Sequence, residues 1–441
     1  MNSKQIDKLV YQAVFGLEEE KSSAREQIYN RANEIGIISS SINDFYLARG
    51  SNNLPHNFTV PAMNIRGMAY DTARAAFKAA VKHNVGALIF ELARSEMGYT
   101  DQPPMEYATV VRAAAIREGW VGPLFLQCDH FQAKADSPGV PKEGEIKTIS
   151  DLVKEALNAG FYNVDIDMST LVDLDKKEEQ EQQVGNIKYS VEIAKFIREI
   201  EPKGITTSLG GEVGHIGGVN SSVEDVRAYL KGFNQEMGSV KGMSKISVNT
   251  GSSHGGVVLA DGSLADVDID FSILKDVSKV CREEFQIGGS VQHGASTLPD
   301  EYFSQFTKSE AVEVHLATGF QNIQMDHKEF PSDLISKMYL WLDQTKQDEK
   351  KEGQTIEQFH YKLRKKAWGE FKKDTWDILE EKKEKIRSSL ANRFEFFYKE
   401  LNVVDSIDIV KKHVNLVEVS KTKNDFITKS AKLGDVKGLA D

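Results

Sequence analysis

Cysteine is scarce: the 441 residues contain two, Cys128 and Cys281, with no CxxC pair. That excludes a disulfide framework and a cysteine-built structural zinc site, and fits a reducing compartment. An apolar run of the roughly eighteen residues a membrane-spanning helix needs is also missing. The first twenty residues, MNSKQIDKLVYQAVFGLEEE, include acids and lack the apolar core of a secretory signal. Positive charge is in deficit, with 55 Lys and Arg against 66 Asp and Glu and a net charge of −11. Such a chain is poorly suited to general binding of nucleic acid or anionic membrane. These absences set the expectation of a soluble cytoplasmic protein with neither kind of partner.

What is present suffices for a large core: 40% hydrophobic residues, with 22 Phe, 13 Tyr and 4 Trp. At roughly 150 residues per domain, the length allows two or three domains, or one large barrel with extensions. Residues 1–50 have the pattern of charged amphipathic helix, with Ile6, Leu9, Val10 and Val14 at helical spacing. Residues 345–441 begin with a polar run and stay rich in Lys and Glu. Between them, short apolar runs alternate with amphipathic stretches. Strands are predicted at Thr59–Ile65, Ala87–Leu92, Pro123–Cys128, Asn163–Ile166, Gly204–Leu209, Lys245–Val248, Ser290–Gln292 and Asn322–Met325. Helical patterns such as Asp71–His83, Met105–Glu118 and Gln183–Ile200 fill the gaps. Eight strand–helix units predict an α/β fold, a (β/α)8 TIM barrel over 51–344, with helical extensions at 1–50 and 345–441. A doubly wound open sheet is the rival, but its GxGxxG after the first strand is missing.

In such a barrel, chemistry sits at the C-terminal ends of the strands. The third predicted strand ends in Asp129-His130, the fifth runs into Glu212-Val213-Gly214-His215-Ile216-Gly217-Gly218, the sixth into His254-Gly255-Gly256 and the seventh into His293-Gly294-Ala295-Ser296. Alone, each strand-end histidine is read more readily as a hydrogen-bonded structural residue than as a ligand. Together, three imidazoles from neighbouring strands could converge on the axis and leave a fourth position open, the ligand count of a catalytic zinc site. His215 lies inside a glycine-rich loop and is the weaker candidate. Backbone amides in the loops after His254 and His293 could face an anion, and Ser296 or Thr297 could cap the next helix while bonding a phosphate oxygen.

In order and spacing these segments resemble the class II, metal-dependent fructose-bisphosphate/tagatose-bisphosphate aldolases over roughly Asn57 to Lys328. Asp129-His130 is similar to the family's Asp-His pair. Gly160-Phe161 through Val164-Asp165-Ile166-Asp167-Met168-Ser169 resembles its "GF..V.ID.S" segment. Glu212 through Gly218 resembles its "E-L-G-x-I-G-G" signature, and His254-Gly255 and His293-Gly294 its two later "HG" motifs. The resemblance implies cleavage of a phosphorylated ketose, in first place fructose 1,6-bisphosphate, to glycerone phosphate and glyceraldehyde 3-phosphate. It implies a zinc ion or another divalent metal on His130, His254 and His293 with Glu212 as ligand or alternate ligand, room for a monovalent cation, and a homo-oligomer, dimer or higher. Asp129 would exchange a proton with the C4 hydroxyl. Asn64, Gly255, Gly294, Ser296, Gln324 and Asp326 would contact substrate.

Three departures stand out. Gln324 occupies the position read as the family's Asn, two residues before the last acid, Asp326. No acid directly follows the glycines of the strand-five loop; the first is Glu224, so the base at C3 is unassigned. Ala93 stands where a phosphate-binding Ser is common, with Arg94 or Ser95 as substitutes. Two rivals to the fructose-bisphosphate reading stay open: tagatose 1,6-bisphosphate or another ketose 1-phosphate as substrate, and a non-catalytic barrel subunit that supports an aldolase. In the C-terminal region Phe371, Ile378, Ile386, Leu390, Phe394 and Phe397 suggest an apolar stripe that packs on the barrel or a second subunit. There, Arg387 or Arg393 could alternatively reach a neighbouring site. Lys362–Lys366 is read as a solvated face.

Overall fold

The computed structural model describes residues 1–214, 219–251, 259, 269–427 and 433–439. Among these residues eleven strands follow in chain order: β1 (Ile37–Ser40), β2 (Val60–Asn64), β3 (Ile89–Ala93), β4 (Gly122–Gln132), the short hairpin β5 (Ala135–Ser137) and β6 (Val140–Pro141), β7 (Asn163–Asp167), β8 (Ser208–Glu212), β9 (Lys245–Ser247), β10 (Ser290–Gln292) and β11 (Glu313–Leu316). The large sheet runs β1-β4-β3-β2-β11-β10-β9-β8-β7, and a further β4–β7 pairing closes it. Its strand pairs are parallel, and β2, β3, β4, β7, β8, β9, β10 and β11 form the eight-stranded barrel. All residues of these strands are buried, as expected for parallel strands covered by helices on one side and filled by side chains on the other.

Seven of the eight strands lie at or near their predicted positions, the fifth displaced to Ser208–Glu212 from the expected Gly204–Leu209. The eighth is a correction. Asn322–Met325 belongs to a helix, Thr318–Met325, and the strand that closes the barrel is Glu313–Leu316. In Glu-Val-His-Leu the charged residues point into the barrel, so the segment lacks the apolar run by which a strand is recognised. Phe320, Ile323 and Met325 supply apolar residues, but in the helix that follows the strand.

β4 changes partner along its length. Gly122–Phe125 pairs with β1, so residues 1–50 contribute a strand as well as the helices Ser3–Phe15 and Glu18–Glu34. From Gln127 the strand pairs with β7, and the register shifts: Cys128 faces Val164 and Phe131 faces Ile166. Asp129 and His130 therefore oppose the single residue Asp165, a β-bulge, and His130 takes a φ of +39°. For a residue with a Cβ that conformation costs about 1 kcal/mol or more.

The helix Glu380–Glu400 lies against the helix Ala69–Lys82 of the barrel's outer ring, with Ile386, Leu390, Phe394 and Phe397 buried. Phe394 packs against Phe320 and Phe397 against Phe303, with tilted rings at centroid distances of 4.6 and 4.7 Å. The apolar stripe thus packs on the barrel of its own chain. Arg387 is bound to Asp71, Glu380 and Glu384, and Arg393 to Asp300 at 2.5 Å. Both arginines are engaged within the chain. No described helix is long and apolar enough to cross a membrane.

Candidate active site

The bulge in β4 determines which side chains reach the axis. In a regular strand Asp129 and His130 would face opposite sides; the extra residue lets both point into the mouth of the barrel. His130 Nδ1 lies 2.9 Å from Asp167 Oδ2, and Asp167 also accepts from Gln132 Nε2 at 2.7 Å and Ser169 Oγ at 2.6 Å. A carboxylate at Nδ1 makes that nitrogen the donor and presents Nε2 as the ligating atom, the arrangement seen behind metal-bound histidines. Burial alone would push the His130 imidazole down, but Asp129, Asp167 and Glu212 around it raise it to about 10.

His293, just past β10, has its ring 4.1 Å from that of His130, and its Nε2 lies 3.5 Å from Glu212 Oε2 at the end of β8. One donor atom each from His130, Glu212 and His293 fall within 4.8 Å of one another, all three residues buried. Glu212 Oε1 is buried and accepts no hydrogen bond among the described residues, and burial pushes its carboxyl well above the usual range. Two imidazoles and an unsatisfied carboxylate oxygen converging from three strands fit a divalent metal: removing such a carboxylate from water is costly unless a cation or proton meets it. The third expected histidine, His254, lies outside the described residues, as do Gly255 and His215.

Asp129 sits beside this group. Its Oδ2 accepts from Asn64 Nδ2 at 2.8 Å and its Oδ1 from His315 Nδ1 at 3.0 Å. Burial would raise its carboxyl, but the charges of His130 and His315 and the two hydrogen bonds hold it well below the usual range. Asn64 also donates to Glu96 Oε2 at 2.7 Å, and Glu96 pairs with Arg66 at 2.5 Å. Ser296 Oγ accepts from the amide of Gly319 at 3.0 Å, which joins the loops after β10 and β11; Gly294 in that loop has a φ of +71°.

Two expected substrate contacts are placed elsewhere. Gln324 donates to the Gly67 carbonyl at 3.0 Å and to Thr72 Oγ1 at 2.5 Å, and Asp326 is held by Arg364 at 2.6 Å. The positions at the end of the true eighth strand are His315 and Ala317. His315 escaped the sequence reading because its strand did. Its signal was the alternation Glu313-Val314-His315-Leu316.

Below the mouth the barrel interior is charged, where branched apolar residues would be usual. Glu91, Gln127, Asp165, Lys245 and Glu313, one from each of five strands, are buried. Lys245 Nζ reaches Glu313 Oε1 at 2.5 Å, Gln127 Oε1 at 2.8 Å and Asp165 Oδ1 at 2.9 Å. Tyr46 donates to Glu313 Oε2 at 2.5 Å, and His315 Nε2 meets Glu313 Oε1 at 2.6 Å. With these cations and donors around it, the Glu313 carboxyl falls to about 2 in spite of burial.

A cavity of about 1100 Å³ opens beside the mouth. Arg66, Ser95, Thr318 and Gln321 line its barrel side, and Lys346, Lys362, Lys365 and Lys366 from the C-terminal region face them. The Lys362–Lys366 run, expected to be a solvated face, therefore lines a cavity, and Arg364 within it is buried. Ser95 is in the cavity lining, whereas Arg94 is buried against Glu145 at 2.6 Å and the Leu433 carbonyl.

The family model described as "Fructose-bisphosphate aldolase class-II" matches residues 52–400. Among curated proteins none matches the chain. A crystal structure of fructose-bisphosphate aldolase from Campylobacter jejuni is similar in fold, with a TM-score of 0.50 and 17% identity over 84% of this chain and 97% of that one. A probable tagatose 6 phosphate kinase from Sinorhizobium meliloti gives a TM-score of 0.54 and 12% identity over 80% of this chain and 99% of its own. At these identities both likenesses speak for the barrel fold alone.

Proposed function

Since the chain belongs to the class II fructose-bisphosphate aldolase family, we propose that it is a zinc-dependent aldolase that cleaves fructose 1,6-bisphosphate to glycerone phosphate and glyceraldehyde 3-phosphate. The observation that carries this reading is the buried group of His130, Glu212 and His293 with the doubly held Asp129 beside it. A divalent ion bound by those residues, with His254 as a further ligand, would act as a Lewis acid for the negative charge that develops on the ketose carbonyl oxygen. The chain's own residues do the rest. Asp129, kept ionised, takes the proton of the C4 hydroxyl; the C3–C4 bond breaks, and its electron pair passes to the glycerone phosphate half as an enediolate. Protonation at C3 completes the reaction. Ser296, Gly294 and Gly255 would hold the C1 phosphate, and Ser95 with the lysine-lined cavity would receive the far phosphate.

The end of β11 favours a second reading. His315 and Ala317 stand where the resemblance leads one to expect an amide and an acid, so the enzyme's ketose could be tagatose 1,6-bisphosphate or another ketose 1-phosphate. Initial cleavage rates on these sugars, measured side by side with metal-loaded enzyme, decide between them. Fastest turnover of fructose 1,6-bisphosphate is expected. Faster cleavage of a different ketose would move the assignment to that sugar, and cleavage of none would favour the non-catalytic reading.

A further inference from the structure

We propose, on the aldolase reading above, that His315 is a positioning residue for the cleavage step: its Nδ1–H fixes the carboxylate of Asp129, and its other ring nitrogen ties that carboxylate to the barrel floor. Asp129 stands on a bulge, next to a residue with positive φ, so its strand alone does not determine where its carboxylate points. Two donors supply the constraint. Asn64 holds Oδ2 at 2.8 Å and His315 holds Oδ1 at 3.0 Å. His315 is in turn held at Nε2 by Glu313 at 2.6 Å, and Glu313 by Lys245, Tyr46 and Gln127 at 2.5, 2.5 and 2.8 Å. A continuous set of buried hydrogen bonds thus runs from β9 and β11 to the proton-accepting carboxylate. A cation held by Glu91, Asp129, Asp165 and His315, or by Asp129, His293 and His315, is the competing use of this cluster. Against it, both ring nitrogens of His315 already meet carboxylates at hydrogen-bonding distance.

The chemistry separates a positioning role from general damage. Cleavage needs the C4 hydroxyl proton to pass to Asp129. Exchange of deuterium into glycerone phosphate breaks only a C–H bond at the carbon that becomes C3, and makes no use of that hydroxyl. Two variants perturb the fold alike and differ in which contact they keep. In His315→Asn the amide lies near the Nδ1 position and can still donate to Asp129. In His315→Gln it reaches toward Glu313 instead.

The expected result is that H315Q loses about 10²-fold in kcat for ketose bisphosphate cleavage, the size of effect a misplaced catalytic group produces. H315N stays within about tenfold of wild type. In H315Q, deuterium exchange falls far less than cleavage, and in both variants metal content matches the wild type. Equal cleavage by the two variants, or parallel loss of cleavage and exchange, would overturn the role of His315. A metal-loaded wild type that neither cleaves nor exchanges would overturn the aldolase reading itself, and this role with it.

Discussion

Lys245 and Glu212 are both buried in the same barrel, and they differ in what surrounds them. Lys245 has three oxygen partners at 2.5 to 2.9 Å, from Glu313, Gln127 and Asp165. Glu212 has one oxygen with no hydrogen bond among the described residues and an imidazole 3.5 Å from the other. Around Lys245 the floor pairs its charges directly and belongs to the architecture, although Glu91 Oε1 there also has no hydrogen bond among the described residues. At the mouth, donor atoms of His130, Glu212 and His293 converge within 4.8 Å of one another, a set that suits a divalent cation.

The largest expected effect breaks the mouth. His293→Ala is expected to lose bound metal and to lower cleavage at least about 10³-fold, the scale of a lost Lewis acid. Elemental analysis and a coupled assay on the same sample check both. The corresponding change in the floor should strike stability instead. Lys245→Met leaves Glu313 and Asp165 buried without their cation and is expected to cost about 3–5 kcal/mol, read from urea unfolding. If K245M unfolds like wild type, the floor is not the structural element described here.

Glu155, on the outer helix Glu145–Ala159, gives the contrast a control. Burial alone raises its carboxyl to about 7, and no described residue forms an ion pair with it. Its folded value lies above the unfolded one, so its contribution to stability is complete below about pH 4.5 and is lost as pH rises through about 7. Glu155→Gln should therefore flatten the fall of Tm between pH 5 and 7; an unchanged slope would show that Glu155 does not titrate in that window. The smallest effect is expected at Arg393, which packs 4.4 Å over the Phe397 ring and pairs with Asp300. Arg393→Ala should cost about 1 kcal/mol in denaturant and leave cleavage unchanged.

The two regions were not equally legible in the sequence. The mouth could be read because its residues sit in short motifs at strand ends: Asp129-His130, Glu212 and His293 could be named without coordinates. The floor could not. Glu91, Asp165, Lys245 and Glu313 come from four separate strands, and each looks like an ordinary charged residue until the closed sheet brings them together. The bulge at Asp129–His130 was equally hidden, since the β7 register creates it. The one misplaced strand follows from the same cause: Glu313 and His315 face inward and make β11 read as polar, while the helix Thr318–Met325 offered a more apolar stretch nearby. Gln324 and Asp326 were carried to the site by that error, and His315 was left out of it.

Anomalous diffraction at the zinc edge, from crystals of the full chain grown with zinc, tests the account most directly. One strong peak is expected about 2 Å from His130 Nε2 and from a ring nitrogen of His293, with Glu212 or His254 completing the coordination. A map with no peak between those two rings, from protein shown by elemental analysis to contain zinc, would contradict it.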